Sequence, residues 1–101
     1  MPVAGGTTQI DHLVLSRFGI FVIETKNMSG WIFGSADRAK WMQVQKSSKR
    51  QFQNPLRQNY AHVKAVQEIL EVDPKTLHNF VVFTGAAEPK TAMPDSVAWG
   101  L

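Results

Sequence analysis

An apolar run that begins at Phe18 ends on Glu24-Thr25-Lys26, and its density of Ile, Val and Phe reads as a strand. A carboxylate and an ammonium two residues apart then point to one face, with Phe21 and Ile23 on the other. An earlier run, Gln9 to Ser16, carries Asp11 and is joined to the first by Arg17-Phe18. If that joint is a two-residue hairpin loop, Ser16 faces Gly19 and counting back sets Asp11 opposite Glu24. Two acids and a lysine would share one patch of sheet, a set able to hold a divalent metal beside a water. Such a set points toward phosphodiester hydrolysis.

That geometry is conditional. A three-residue loop, Arg17-Phe18-Gly19, would set Asp11 opposite Thr25, and only a bulge could restore the convergence. The plainer alternative is a cross-strand ion pair on a solvated face, since exposed pairs are common and weak. Against it, Ile20 and Val22 share the face of Glu24 and Lys26, so that face is partly apolar. Two carboxylates directly opposite would also repel unless a cation lay between them.

The rest of the chain bounds the fold. At 101 residues and 44% hydrophobic content it is one domain with a core. It contains no apolar run long enough to span a membrane, and Met1 to Thr8 has no secretory-signal character. No cysteine is present, which fits a cytoplasmic protein and removes disulfides, thiolate metal sites and thiol nucleophiles. His12, His62 and His78 lack metal-ligand spacing and read as ordinary surface or core residues. The net charge is only +3, yet Arg38, Lys40, Lys46, Lys49, Arg50, Arg57 and Lys64 follow one another with no acidic residue between them. Trp41, Phe52 and Tyr60 lie among these residues. The tract is either a solvated basic surface or one that tracks phosphates.

After the two strands, Asn27 to Gly30 is turn chemistry, Trp31 to Phe33 a short third strand, and Trp41 to Gln45 another. Lys46 to Gln53 is expected to be a mobile polar segment. A helix follows, with Asn54 as its cap and Pro55 at its first position, running to about Glu71. Leu56, Tyr60, Val63, Val66 and Leu70 form the expected core stripe. Gln58 lies near the edge of that arc, where it could face the sheet end. Asp73-Pro74 ends the helix, Phe80 to Phe83 returns as a buried strand, Thr84 to Met93 reads as loop, and Val97 to Trp99 as a late edge strand. Strand meander, crossover helix and returning strand together predict an α/β domain with a mixed sheet.

Gln9-Ile10-Asp11-His12, Gly19 to Lys26, and Asn54-Pro55-Leu56-Arg57-Gln58-Asn59 resemble the nuclease-related domain (NERD) family, part of the PD-(D/E)xK nuclease-like superfamily. The resemblance runs from about Thr7 to Phe83. It implies a restriction-endonuclease-like core and hydrolysis of nucleic acid, DNA above all, with Mg²⁺ or Mn²⁺. By the same resemblance Asp11 and Glu24 are metal ligands, with the Thr25 carbonyl a third. Lys26 positions or deprotonates the attacking water, and Gln58 is the helix glutamine tied to the site. Arg38, Lys40, Lys46, Lys49, Arg50 and Arg57 are then candidates for contacting nucleic acid. The family also has an N-terminal helix and a strand ahead of the first motif, whereas eight residues precede Gln9 here. The expectation is therefore an N-terminally truncated domain whose open sheet edge invites a second copy to complete it. A non-catalytic nucleic-acid-binding module and a protein-interaction domain are the alternatives.

Overall fold

A computed structural model describes residues 12–100, together with the backbone of 2–3 and 6–7. Its elements run β1 (Pro2–Val3), β2 (Gly6–Thr7), β3 (His12–Ser16), β4 (Gly19–Asn27), β5 (Gly30–Phe33), β6 (Lys40–Gln45), β7 (Ser48–Gln53), α1 (Pro55–Leu70), a 3-10 turn (Pro74–Thr76), β8 (Leu77–Thr84), β9 (Ala87–Pro89) and β10 (Val97–Trp99). Two four-stranded mixed sheets result, one ordered β10-β8-β4-β3 and the other β7-β6-β5-β9, while β1 and β2 pair with each other. This is the α/β arrangement expected, with one helix following a strand meander and a further strand returning beside β4.

The β3–β4 hairpin has the two-residue loop. Ser16 pairs with Gly19, and the register continues to His12 opposite Ile23. Gly19 makes the corner because its φ is +130°, and a Cβ there would lie 2.6 Å from the Thr76 carbonyl oxygen. Gln9, Ile10 and Asp11 lie outside the described residues.

α1 starts where the sequence says it should. Asn54 Oδ1 accepts the Leu56 N–H at 2.9 Å, Pro55 opens the helix, and Glu71 closes it in the left-handed conformation with its N–H on the Gln67 carbonyl. β8 then runs parallel to β4 over its whole length, from Ile20 beside Leu77 to Asn27 beside Thr84.

Three local expectations change. The buried face of α1 is Pro55, Asn59, Ala65 and Val66, whereas Tyr60 and Leu70 of the expected stripe are 55% and 45% exposed. Polar partners on the sheet, described below, draw Asn59 inward and rotate the stripe. Ser48 to Gln53 is a strand antiparallel to β6 rather than a mobile segment, because backbone pairing with β6 holds it despite its polar sequence. Ala87 to Pro89, expected as loop, adds a parallel edge to β5.

The core has two parts. Val22, Val66 and Leu77 pack beneath α1. Ile32, Trp41, Val81, Phe83 and Val97 pack between the two sheets. Along β8, Leu77 belongs to the first part and Val81 to the second, with Asn79 between them. A polar seam thus crosses the molecule where α1 gives way to the second sheet.

Candidate functional site

Glu24 lies on that seam. It is 7% exposed, on the same face of β4 as Val22 and Lys26, with Val81 of β8 beside it in register. A carboxylate this deeply buried needs charged or hydrogen-bonding neighbours. Lys26 Nζ is 3.8 Å from Glu24 Oε2, and His62 Nδ1 is 3.6 Å from Oε1. The Lys26 side chain retains 24% exposure, so the ammonium stands at the mouth of the site with the carboxylate behind it. Strand alternation turns Thr25 to the opposite face, leaving only its backbone near the seam.

The helix supplies the other wall through residues spaced to share one face, Asn59, His62 and Val66. Asn59 is fully buried. Its amide nitrogen donates to the Val22 carbonyl at 2.8 Å, to Asn79 Oδ1 at 2.9 Å and to the Phe80 carbonyl at 3.3 Å. Asn79 in turn donates to the Leu56 carbonyl at 2.7 Å. One side chain therefore ties α1 to two strands, and its oxygen must face the other way. That oxygen lies 3.0 Å from His62 Nδ1, and an amide oxygen only accepts, so Nδ1 carries the proton. The Nδ1–H of His62 thus faces Asn59 and, more distantly, Glu24. Asn79, Asn59, His62, Glu24 and Lys26 form one continuous polar chain.

Of the residues named from sequence, Glu24 and Lys26 come together. Gln58 is half-buried and lies one helical turn before His62 on the neighbouring row of α1. Asp11 lies outside the described residues. The basic tract does not form one stripe. Lys49 and Arg50 line a cleft at the end of β4, Lys46 borders a second beside Trp31, and Arg38 a third beside Thr91. Lys40 opens β6 at an exposed position. Arg57 donates to the Asp37 carbonyl oxygen at 2.9 Å. Asn59, His62 and Asn79 were not singled out by the sequence reading. The available signal was the Asn59-to-His62 spacing, which puts both on one helix face, but apolar periodicity pointed elsewhere.

The donor set can be tested for a divalent cation. Glu24 offers carboxylate oxygens and Thr25 a backbone carbonyl, the hard donors that Mg²⁺ and Mn²⁺ take. Among the described residues no three His, Cys, Asp or Glu side chains converge as a metal-binding group. The described residues therefore supply part of a shell, which a further acid opposite Glu24 would extend.

Comparison with known proteins gives one family match and one curated relative. The family model for the nuclease-related domain matches residues 1–84. An uncharacterized protein of Bacillus anthracis is 52% identical over 67 residues, a stretch spanning 66% of this chain and 32% of that protein. No solved structure matches the chain. No helix among the described residues is long and apolar enough to cross a membrane.

Proposed function

The chain belongs to the nuclease-related domain family, and from that membership and the surroundings of Glu24 we propose that it hydrolyses phosphodiester bonds of nucleic acid, DNA foremost, in the cytoplasm. The observation that carries the reading is a carboxylate 7% exposed with a lysine ammonium 3.8 Å away at its mouth. A purely structural surface pair has no reason to be set this deep, because burial penalises both charges.

In this reading Asp11 and Glu24 hold Mg²⁺ or Mn²⁺, with the Thr25 carbonyl as a further ligand. Counting one residue back from the His12–Ile23 pair is the basis for setting Asp11 opposite Glu24. When bound, the cation would make a nearby water more acidic and offset charge on the phosphate. The chain's own groups do the remaining work. Lys26 holds the attacking water and stabilises the charge that grows on the phosphoryl oxygens. His62, fixed by Asn59, restrains Glu24 from the side away from Lys26, so the carboxylate keeps one orientation. Gln58 flanks this group and positions the water or the phosphate.

Plasmid and single-stranded DNA incubated with Mg²⁺ or Mn²⁺ test the proposal. Cleavage should require metal and should disappear in Glu24→Ala and Lys26→Ala; activity unchanged by either substitution sinks the mechanism. Salt-dependent DNA binding without metal-dependent cleavage would instead make the chain a nucleic-acid-binding module. Absence of both would leave a protein-interaction domain.

A further inference from the structure

The face of β4 that carries Glu24 and Lys26 continues into a polar cleft that the proposed chemistry leaves unused. Lys26 lies beside Phe83 in the β4–β8 register. Phe83 stacks on Trp41 of β6, with ring centroids 6.3 Å apart. Strand alternation sets Gln43 and Gln45 on the Trp41 face. Their register partners in β7, Arg50 and Ser48, share it. With Asn27 and Ser29 at the end of β4, these residues line a cleft of about 620 Å³. The cleft begins one residue beyond Lys26.

Arg50 is anchored in this cleft. Gln43 is 7% exposed; its Nε2 donates to the Ser29 carbonyl at 2.8 Å, which leaves Oε1 to accept from Arg50 Nε at 3.2 Å. A buried glutamine thus holds the guanidinium through Nε, and among the described residues no hydrogen bond engages its two terminal nitrogens. Among the described residues no carboxylate forms an ion pair with Arg50. The sequence from Arg38 to Lys64, which includes β6 and β7, contains no acid, so neither of these strands supplies a counter-charge. A planar guanidinium with an open outer edge matches two phosphate oxygens at once. Asn27, Gln45 and Ser48 add neutral hydrogen-bonding groups around it.

We propose that this cleft is a phosphate subsite for a nucleic-acid strand. Arg50 binds a backbone phosphate flanking the scissile one, and Gln43 is its positioning residue. The proposal rests on the nuclease reading for the neighbouring phosphate, and a strand is the expected occupant because it presents phosphates at short intervals along one path. A strand with one phosphate at Lys26 that continues along β4 toward residues 27–29 crosses this cleft, which those residues line.

The test is fluorescence anisotropy of labelled duplex and single-stranded DNA with the full chain in EDTA, repeated across a salt series. Arg50→Gln should weaken binding at least about tenfold and flatten the log Kd against log salt slope by about one. Arg50→Lys should keep the slope while losing part of the affinity, because it retains charge without the fork. Gln43→Leu should fall between parent and Arg50→Gln, with thermal melting followed because the position is buried. Lys75→Gln, at the opposite end of β8, should match the parent. Inorganic phosphate at matched phosphate concentration should not displace DNA; displacement would assign the cleft to small phosphate compounds and overturn the strand. If the parent cleaves DNA and Arg50→Gln binds with unchanged affinity and slope, the subsite falls and the nuclease reading stands. If the parent binds but does not cleave DNA and Arg50→Gln loses binding as expected, the subsite stands and hydrolysis falls. A parent that neither binds nor cleaves removes both.

Discussion

Replacing Asn59 with leucine should cost far more than its size change suggests. The side chain is fully buried and makes four polar contacts, three through the two Nδ2 hydrogens, one of them shared, and one as acceptor toward His62. A buried hydrogen bond contributes about 1 kcal/mol net, and an acceptor left without a partner costs about 1–3 kcal/mol. Leucine is close in volume and gains about 1–2 kcal/mol of apolar burial. With the Phe80 contact long at 3.3 Å, and strand carbonyls partly served by the sheet ladder, the balance is a loss of about 3 kcal/mol. For a domain of this size that lowers the melting temperature by roughly 10–20 °C. Urea denaturation followed by circular dichroism should show the midpoint falling with an unchanged slope. Asn59→Asp should be at least as harmful, because it replaces a donor with an acceptor facing three oxygens. Nitrogen-15 spectra of the His62 ring supply a second readout: Nδ1 protonated in the parent, with that preference lost in Asn59→Leu. A leucine variant within about 0.5 kcal/mol of the parent, well inside the ordinary mutational range, would refute the view that Asn59 welds helix to sheet.

Other outcomes follow from the same geometry. Asn54→Ala should cost about 2–3 kcal/mol by urea denaturation, since the fully buried side chain caps α1 and also donates to the Arg38 carbonyl at 2.8 Å. Gly19→Ala should lose about 2–3 kcal/mol by the same assay, because its φ of +130° and the Thr76 carbonyl both exclude a Cβ. Asp37 has its carboxyl held below the usual value, first by the Ser35 hydroxyl and then by its own backbone N–H. A depressed folded-state pKa stabilises above the unfolded value and is lost as pH falls through the folded one. The stability gap between parent and Asp37→Asn should therefore be fully present at neutral pH and close below about pH 4. Self-association through β3, whose five residues are all exposed at the margin of its sheet, should weaken in Leu15→Lys, read by light scattering; equal masses for parent and variant at high concentration would remove that expectation.

Much of this architecture follows from local chemistry. Asn54-Pro55 sets the start of α1 within a residue, and Arg17-Phe18 between two β runs marks a hairpin, although local chemistry left its loop at two or three residues until the Ser16–Gly19 pairing decided the register. These features depend on neighbours in the chain, and so does the placement of Glu24 and Lys26 on a common strand face. The burial of Asn59 is different. Periodicity assigns apolar residues to the interior, yet Tyr60 and Leu70 are exposed while an asparagine is fully enclosed. Its partners come from β4 and β8, 37 and about 20 residues away, and nothing in the helix sequence announces them. The strand Ser48–Gln53 was hidden for a related reason: its stability lies in backbone pairing with β6, and alternation is silent where both faces are polar.

The sequence alone therefore determined which residues could carry the chemistry and which strand face holds two of them, because both follow from residue type and a period of two. Only the tertiary structure decided that Glu24 is buried, that His62 and Asn59 stand behind it, and that Arg50 is fixed beside a cleft. Burial and charge pairing are set by distance in space, and the parallel pairing of β4 with β8 brings together groups that the chain order keeps far apart.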